Sequence, residues 1–162
     1  ELRYLSTHDS LTGLFNRGFF EEELARLENG RSFPISILVA DVDQLKQIND
    51  HAGHAAGDEM LKRAAQVLTT AFRVDDIVAR IGGDEFAVLL PATNSAVVKV
   101  LIDRVRQILQ EQQTAYPETP LGLSLGVSTA ERPSSLAKNL KEADANMYRD
   151  KQSHDHSAGT QV

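Results

Sequence analysis

Short apolar runs alternate with helical stripes along this chain. Ile35-Ser36-Ile37-Leu38-Val39-Ala40 is rich in β-branched residues and bounded by Pro34 and Asp41, which predicts a buried central strand. Ile77 to Ile81 and Phe86 to Leu90 are two further strand-like runs, separated by Gly82-Gly83 and two acids. They predict a β-hairpin with a two-residue glycine turn, where φ > 0 costs glycine nothing. Leu121 to Ser128 alternates large apolar with small residues. That is a period-two strand whose small face admits a helix or ligand closely.

Helical spacing fills the intervals. Residues 1–13 read as the end of an incoming helix and a turn. Asn16 caps a helix reaching Asn29-Gly30, with Phe19, Phe20, Leu24 and Leu27 as core contacts. Gln44 to Asp58 reads as a short helix, a glycine-broken turn and the start of a longer helix near Ala56. Met60, Ala64, Leu68 and Phe72 form its buried stripe. Thr93-Asn94-Ser95 caps a helix with Val97, Leu101, Val105, Ile108 and Leu109 on one side. Pro133-Ser134-Ser135 opens a last helix with Leu136, Leu140, Ala143 and Met147 inward, and after Lys151 the chain becomes polar and frayed. This order predicts an α/β (α+β) fold, with a central mixed, partly antiparallel sheet flanked by helices.

Composition narrows the partners. The 162 residues suit one domain, taken as 1–152 with a polar tail over 153–162. The chain has no cysteine, which removes disulfides and thiolate metal sites and fits a reducing, cytoplasmic setting. A net charge of −6 argues against nucleic acid or an anionic membrane as partner, and no apolar run is long enough to span a bilayer. An anionic small ligand would need a metal or a few placed basic residues. The chain opens in mid-pattern without Met. It is read as part of a longer signalling protein, one that can be membrane-anchored, whose upstream sensor domain lies outside it.

Two acidic clusters carry the candidate chemistry. Asp41-Val42-Asp43 ends the first strand, and side-chain alternation puts both acids on one side. The competing reading is helix capping by Asp43. Asp84-Glu85 sits at the lip of the hairpin. If that strand lies beside the hairpin, Asp41, Asp43, Asp84 and Glu85 converge as an oxygen-only set suited to Mg²⁺. Two such ions about 4 Å apart support in-line displacement at phosphorus. This reading stops at metal-assisted phosphoryl or nucleotidyl chemistry. Asp58 also suits a helix dipole in a first turn. His51 and His54 suit turn hydrogen bonding better than zinc.

Gly82-Gly83-Asp84-Glu85-Phe86 is the motif that names the GGDEF domain, the diguanylate cyclase family, and three other blocks resemble it in register. Asp9 to Arg17 resembles D-x-L-T-G-L-x-N-R. Asp41 to Asp50, with Gly53-His54 and Gly57-Asp58, resembles D-x-D-x-F-K-x-x-N-D-x-x-G-H-x-x-G-D. Ala143 to Tyr148 with Lys151 resembles A-D-x-x-x-Y-x-x-K. The similarity covers residues 7–152.

The resemblance implies a nucleotidyl cyclase or palm-like fold that condenses two GTP molecules to cyclic di-GMP and two pyrophosphates. Each domain of a homodimer would hold one GTP. By motif position Asp41 and Asp84 resemble the side-chain ligands of Mg²⁺ (or Mn²⁺), with the Val42 carbonyl helping, and Glu85 resembles a metal-binding or proton-accepting carboxylate. Asn49 and Asp58 resemble the guanine readers, since a carboxylate accepts from N1–H and N2–H₂. Gly82 and Gly83 leave room for the nucleotide. Lys46 and Lys151 are phosphate contacts or plain solvated lysines. Arg73 and Asp76, with Arg104 on the next helix, resemble an inhibitory product site. Alternatively Arg73 and Asp76 form a local surface pair. Leu45 stands where phenylalanine is commonest. Asp155, within His154-Asp155-His156, stands where the resemblance places an arginine that helps hold the triphosphate, which implies either that Lys46, Lys151 and the metals suffice or that GTP affinity is reduced. The alternative to a cyclase is a catalytically weak or silent domain that binds cyclic di-GMP or GTP.

Overall fold

The computed structural model describes residues 2–159, with side chains over 4–155. A short α1 (Leu2–Thr7) leads into α2 (Arg17–Glu28), whose N-terminus is capped by the Asn16 side chain accepting from the Phe19 N–H. Then come β1 (Ile35–Val42), α3 (Leu45–Ala52), α4 (His54–Ala71), β2 (Ile77–Arg80), β3 (Glu85–Leu90), α5 (Ser95–Ala115), β4 (Leu123–Ala130) and α6 (Leu136–Gly159). The sheet order is β2-β3-β1-β4, and all three pairings are antiparallel. An isolated parallel bridge joins Phe15 to Ala79.

Period-two alternation divides the core between the two faces of this sheet. Leu38, Ala40 and Val42 of β1 join Met60, Ala64 and Leu68 of α4 and Val105 of α5 on one face. Ile35, Ile37 and Val39 join Phe20 and Leu27 of α2 and Leu136, Ala143 and Met147 of α6 on the other. The small positions of β4 serve that second layer. A Cβ at Gly126 would overlap the Met147 nitrogen and the Ala143 carbonyl, so only glycine lets α6 approach this closely.

Three expectations change. The β2–β3 connection is a four-residue loop, Ile81 to Asp84, closed by Ile81 and Gly82 N–H groups donating to the Glu85 carbonyl at 2.9 and 3.2 Å. Neither Gly82 nor Gly83 adopts a left-handed φ, because a loop of this length does not demand it. On α5 the inward valine is Val98, at 2% exposure, while Val97 is 45% exposed. The expected frayed tail continues α6 as helix through Gly159, with His154 finding partners in Asp43 and in Ser124 of β4. Residues 160–162 and the His156 side chain lie outside the described residues.

Candidate active site

The end of β1 gathers the acids. Asp41 lies opposite Glu85 in the β1–β3 register, and the Val42 N–H donates to the Asp84 carbonyl at 3.0 Å. Carboxylates facing each other across a strand pair repel, and burial strengthens the effect. Asp41 is pushed up to about 6 by burial and by the Asp84 charge, with Lys151 pulling the other way. Glu85 is pushed up to about 7 by burial, by a hydrogen bond with Asp144 of α6 and by the surrounding carboxylate charges. Lys151 Nζ stands 3.3 Å from Asp41 Oδ2, while Asp41 Oδ1 is buried without a hydrogen-bond partner among the described residues.

That donor set fits a hard divalent cation, since it offers buried carboxylate oxygens short of positive charge. Among the described residues no three carboxylates or imidazoles form a cage by themselves. The remaining ligands would be backbone, water or phosphate, which is how Mg²⁺ is commonly held.

Asp43 takes a separate path. Its Oδ1 accepts from the Ser124 hydroxyl at 2.5 Å, its Oδ2 lies 2.9 Å from His154 Nδ1, and its N–H donates to the Gly122 carbonyl. It caps no helix. The N-cap of α3 is Gln44, in the left-handed conformation and without a side-chain cap.

Asn49 ends up over the start of α4. Its Oδ1 is buried without a partner among the described residues, directly above Gly57, where a Cβ would overlap it. Asp58 is the next residue and is exposed, but α4 begins at His54, so Asp58 lies beyond the first turn. Lys46, Gly82 and Gly83 are exposed, and the Cβ position of Gly83 is open space. His51 and His54 are also exposed.

Arg80 is a positioning residue that sequence reasoning did not single out. Its Nη2 and Nε donate to the Gly83 carbonyl at 2.7 and 3.2 Å, and its Nη1 lies 3.3 Å from both Asp9 carboxylate oxygens. Burial opposes the Asp9 charge, but the Thr12 hydroxyl and N–H and the Arg80 charge outweigh it and hold Asp9 below its ordinary value. The signal was present as Asp9 and Thr12 in one block and Arg80 in another, with nothing local to join them.

The second cluster lies around the α4–β2 turn. The Asp76 side chain is fully buried and accepts from the Arg73 N–H at 2.9 Å and the Arg73 Nε at 3.3 Å. Arg73 Nη2 also donates to Thr93 Oγ1 at 3.1 Å. Arg104 reaches the same end of α4 by donating to the Thr70 carbonyl at 3.4 Å.

Residues 6–157 match the family model for the diguanylate cyclase GGDEF domain. The chain belongs to the GGDEF domain family of diguanylate cyclases. Among curated relatives, the diguanylate cyclase TpbB of Pseudomonas aeruginosa is 38% identical over 157 residues, 91% of this chain and 35% of TpbB. An uncharacterized protein of Mycobacterium tuberculosis is 37% identical over 150 residues, 88% of this chain and 24% of that protein. The GGDEF chain therefore spans a quarter to about a third of these relatives. The fold is shared with solved structures. Diguanylate cyclase SiaD of Pseudomonas aeruginosa, in complex with its activator SiaC, matches with TM-score 0.80 at 31% identity, covering 94% of this chain and 60% of that one. The coiled coil and GGDEF domain of DgcB from Caulobacter crescentus, in complex with c-di-GMP, matches with TM-score 0.81 at 27% identity, covering 94% and 84%. No helix among the described residues of this GGDEF domain is long and apolar enough to cross a membrane.

Proposed function

We propose that this GGDEF domain condenses two GTP molecules into cyclic di-GMP and two pyrophosphates, with one GTP held by each domain of a two-fold pair. The observation that carries the reading is Asp41 facing Glu85 across one strand pair, with Lys151 beside Asp41 and the unpartnered Asn49 Oδ1 on α3. Asn49 and Asp58 read the guanine edge. The open space at Gly83 admits the nucleotide, while Lys46 and Lys151 contact phosphate. Asp41, Asp84 and the Val42 carbonyl would hold Mg²⁺ or Mn²⁺, which when bound neutralises phosphate charge. Glu85, held near neutrality in its titration, accepts the 3′-hydroxyl proton. The 3′-oxygen bonds to the α-phosphorus of the partner's GTP, the bond from that phosphorus to the pyrophosphate oxygen breaks, and two such transfers close the ring. Because each transfer uses both GTP molecules, one domain alone is an incomplete catalyst.

Arg73, Asp76 and Arg104 are proposed as an inhibitory product site, in which the forked arginine donors suit a phosphodiester. One observation favours a second reading, a silent domain that binds cyclic di-GMP: Asp155 stands exposed where the resemblance places an arginine. Incubation with GTP and Mg²⁺ over a range of protein concentration separates the two. Cyclic di-GMP identified by mass, formed at a specific rate that rises with concentration, supports the cyclase. Its absence from an enforced dimer overturns it.

A further inference from the structure

The last turns of α6 are fastened to the sheet end by contacts to which the family motifs assign no role. His154 Nδ1 lies 2.9 Å from Asp43 Oδ2 and 3.1 Å from Ser124 Oγ. Ser124, fully buried on β4, donates to the other Asp43 oxygen at 2.5 Å. The far ring nitrogen, Nε2, lies 3.6 Å from Asp150 Oδ1, and Asp150 Oδ2 accepts from the Leu125 N–H at 2.8 Å. Gly122 makes room for this arrangement, since a Cβ there would sit 2.9 Å from Asp43 Oδ2.

Serine, histidine and aspartate meet here, but not as a nucleophile. Ser124 and Asp43 both contact Nδ1, so no ring nitrogen is free to take the serine proton for a carboxylate-oriented imidazole. What the cluster does is mechanical. Lys151 lies one residue after Asp150 and three before His154, and it is the residue that reaches Asp41. A helix end without tertiary contacts frays, and a lysine carried on a frayed turn has no defined position. With Asp150 and His154 both anchored, Lys151 is held between two fixed points.

We propose that His154 is a positioning residue that latches the end of α6 onto Asp43 and Ser124, and so presents Lys151 to Asp41 and to the triphosphate of bound GTP. The proposal rests on the GTP reading above, and it explains how the site retains a placed cation although Asp155 offers none.

The test compares the wild-type domain with His154→Ala, His154→Asn, Lys151→Ala and the His154→Ala/Lys151→Ala double variant, using a non-hydrolysable GTP analogue with Mg²⁺. His154→Ala is expected to weaken analogue binding by about tenfold, within the range of coupling between contacting residues. His154→Asn, whose amide N–H takes the place of Nδ1, restores most of that loss. The double variant binds no worse than Lys151→Ala alone, because His154 acts through Lys151. Unchanged binding in His154→Ala, or additive losses in the double variant, overturns the proposal. A second arm needs no nucleotide: in the free domain, amide hydrogen exchange over residues 150–157 speeds up in His154→Ala while β1 and β4 stay protected. Equal exchange overturns the latch. A wild-type domain that binds no analogue overturns the GTP reading instead, and the exchange arm still judges the latch. Should His154→Ala fail to fold, His154→Asn and His154→Gln replace it, since only Asn keeps a donor at the Nδ1 position. Equal binding by the two overturns the proposal.

Discussion

Asp41 lies directly opposite Glu85 in the β1–β3 register, so one strand pair sets two half-buried carboxylates side by side. Their folded-state values, about 6 and about 7, lie above the ordinary values of 3.8 and 4.5. A raised carboxyl favours folding only while it is protonated. As pH rises past 4, the unfolded chain releases these protons first, and stability falls until the folded groups ionise too. The metal-free domain is therefore expected to lose melting temperature, by a few degrees, from about pH 4 to about pH 7 through these two groups. Saturating Mg²⁺ should flatten that decline. Differential scanning calorimetry with and without chelator checks both, and a metal-free stability that rises over this window through Asp41 and Glu85, as judged against Asp41→Asn/Glu85→Gln, contradicts it.

Gly126 sits beneath α6, where a side chain has no space. Because the overlapping atoms are helix backbone at Ala143 and Met147, neither can swing aside. Gly126→Ala should cost about 3 kcal/mol or more, the upper range for overpacking. Urea unfolding measures it. Since α6 carries Lys151 and Asp144, any folded fraction should also bind nucleotide less tightly. An alanine variant as stable as the wild type would mean that α6 sits further from β4 than the structure has it.

Most of the fold was legible because its signals are local. Asn16 and Asn94 each cap the helix expected of them, and the β-branched run from Ile35 is the central strand. Of the four acids expected to converge, Asp41, Asp84 and Glu85 are brought together by one strand pairing, whereas Asp43 turns to Ser124 and His154. What was not legible depends on contacts distant in sequence. Val97 and Val98 are alike as residues, and only the seating of α5 on the sheet decides which is buried. The glycine pair looked like a two-residue turn, but Asp84 stays outside β3 and lengthens the loop, so positive φ is not required. His154 read as a tail residue because its partners, Asp43 and Ser124, are 111 and 30 positions away.

Arg73 and Asp76 should both contribute to stability, and Arg73 to product binding as well. The Asp76 carboxylate is fully buried and bound to backbone as well as guanidinium, whereas the Arg73 side chain is 59% exposed. Asp76→Ala orphans the Arg73 N–H and is expected to destabilise the domain by about 1–3 kcal/mol. Arg73→Ala leaves the buried Asp76 carboxylate with the backbone N–H of that position alone among the described residues, so it is expected to cost about 1–3 kcal/mol as well, while removing cyclic di-GMP binding. Calorimetric titration with cyclic di-GMP beside thermal melting tests the pair. Retained binding in a folded Arg73→Ala domain would exclude this turn as the product site.

Gly57 offers a way to strike nucleotide recognition while sparing the fold. It lies in α4, where alanine is a better helix former than glycine by up to about 1 kcal/mol. The atom that a new Cβ meets is Asn49 Oδ1, the end of a side chain and free to turn away. Gly57→Ala should therefore match or exceed the wild type in melting temperature. The Asn49 amide, though, must leave the position from which it is proposed to read a guanine edge. Losing one such buried hydrogen-bonding group costs about 1–3 kcal/mol, or roughly five- to 150-fold in GTP affinity. An Asn49→Ala variant should lose the same affinity, and combining the two should add little, because both remove one contact. Full GTP affinity in a stable Gly57→Ala domain would show that Asn49 does not read the base from where the structure places it.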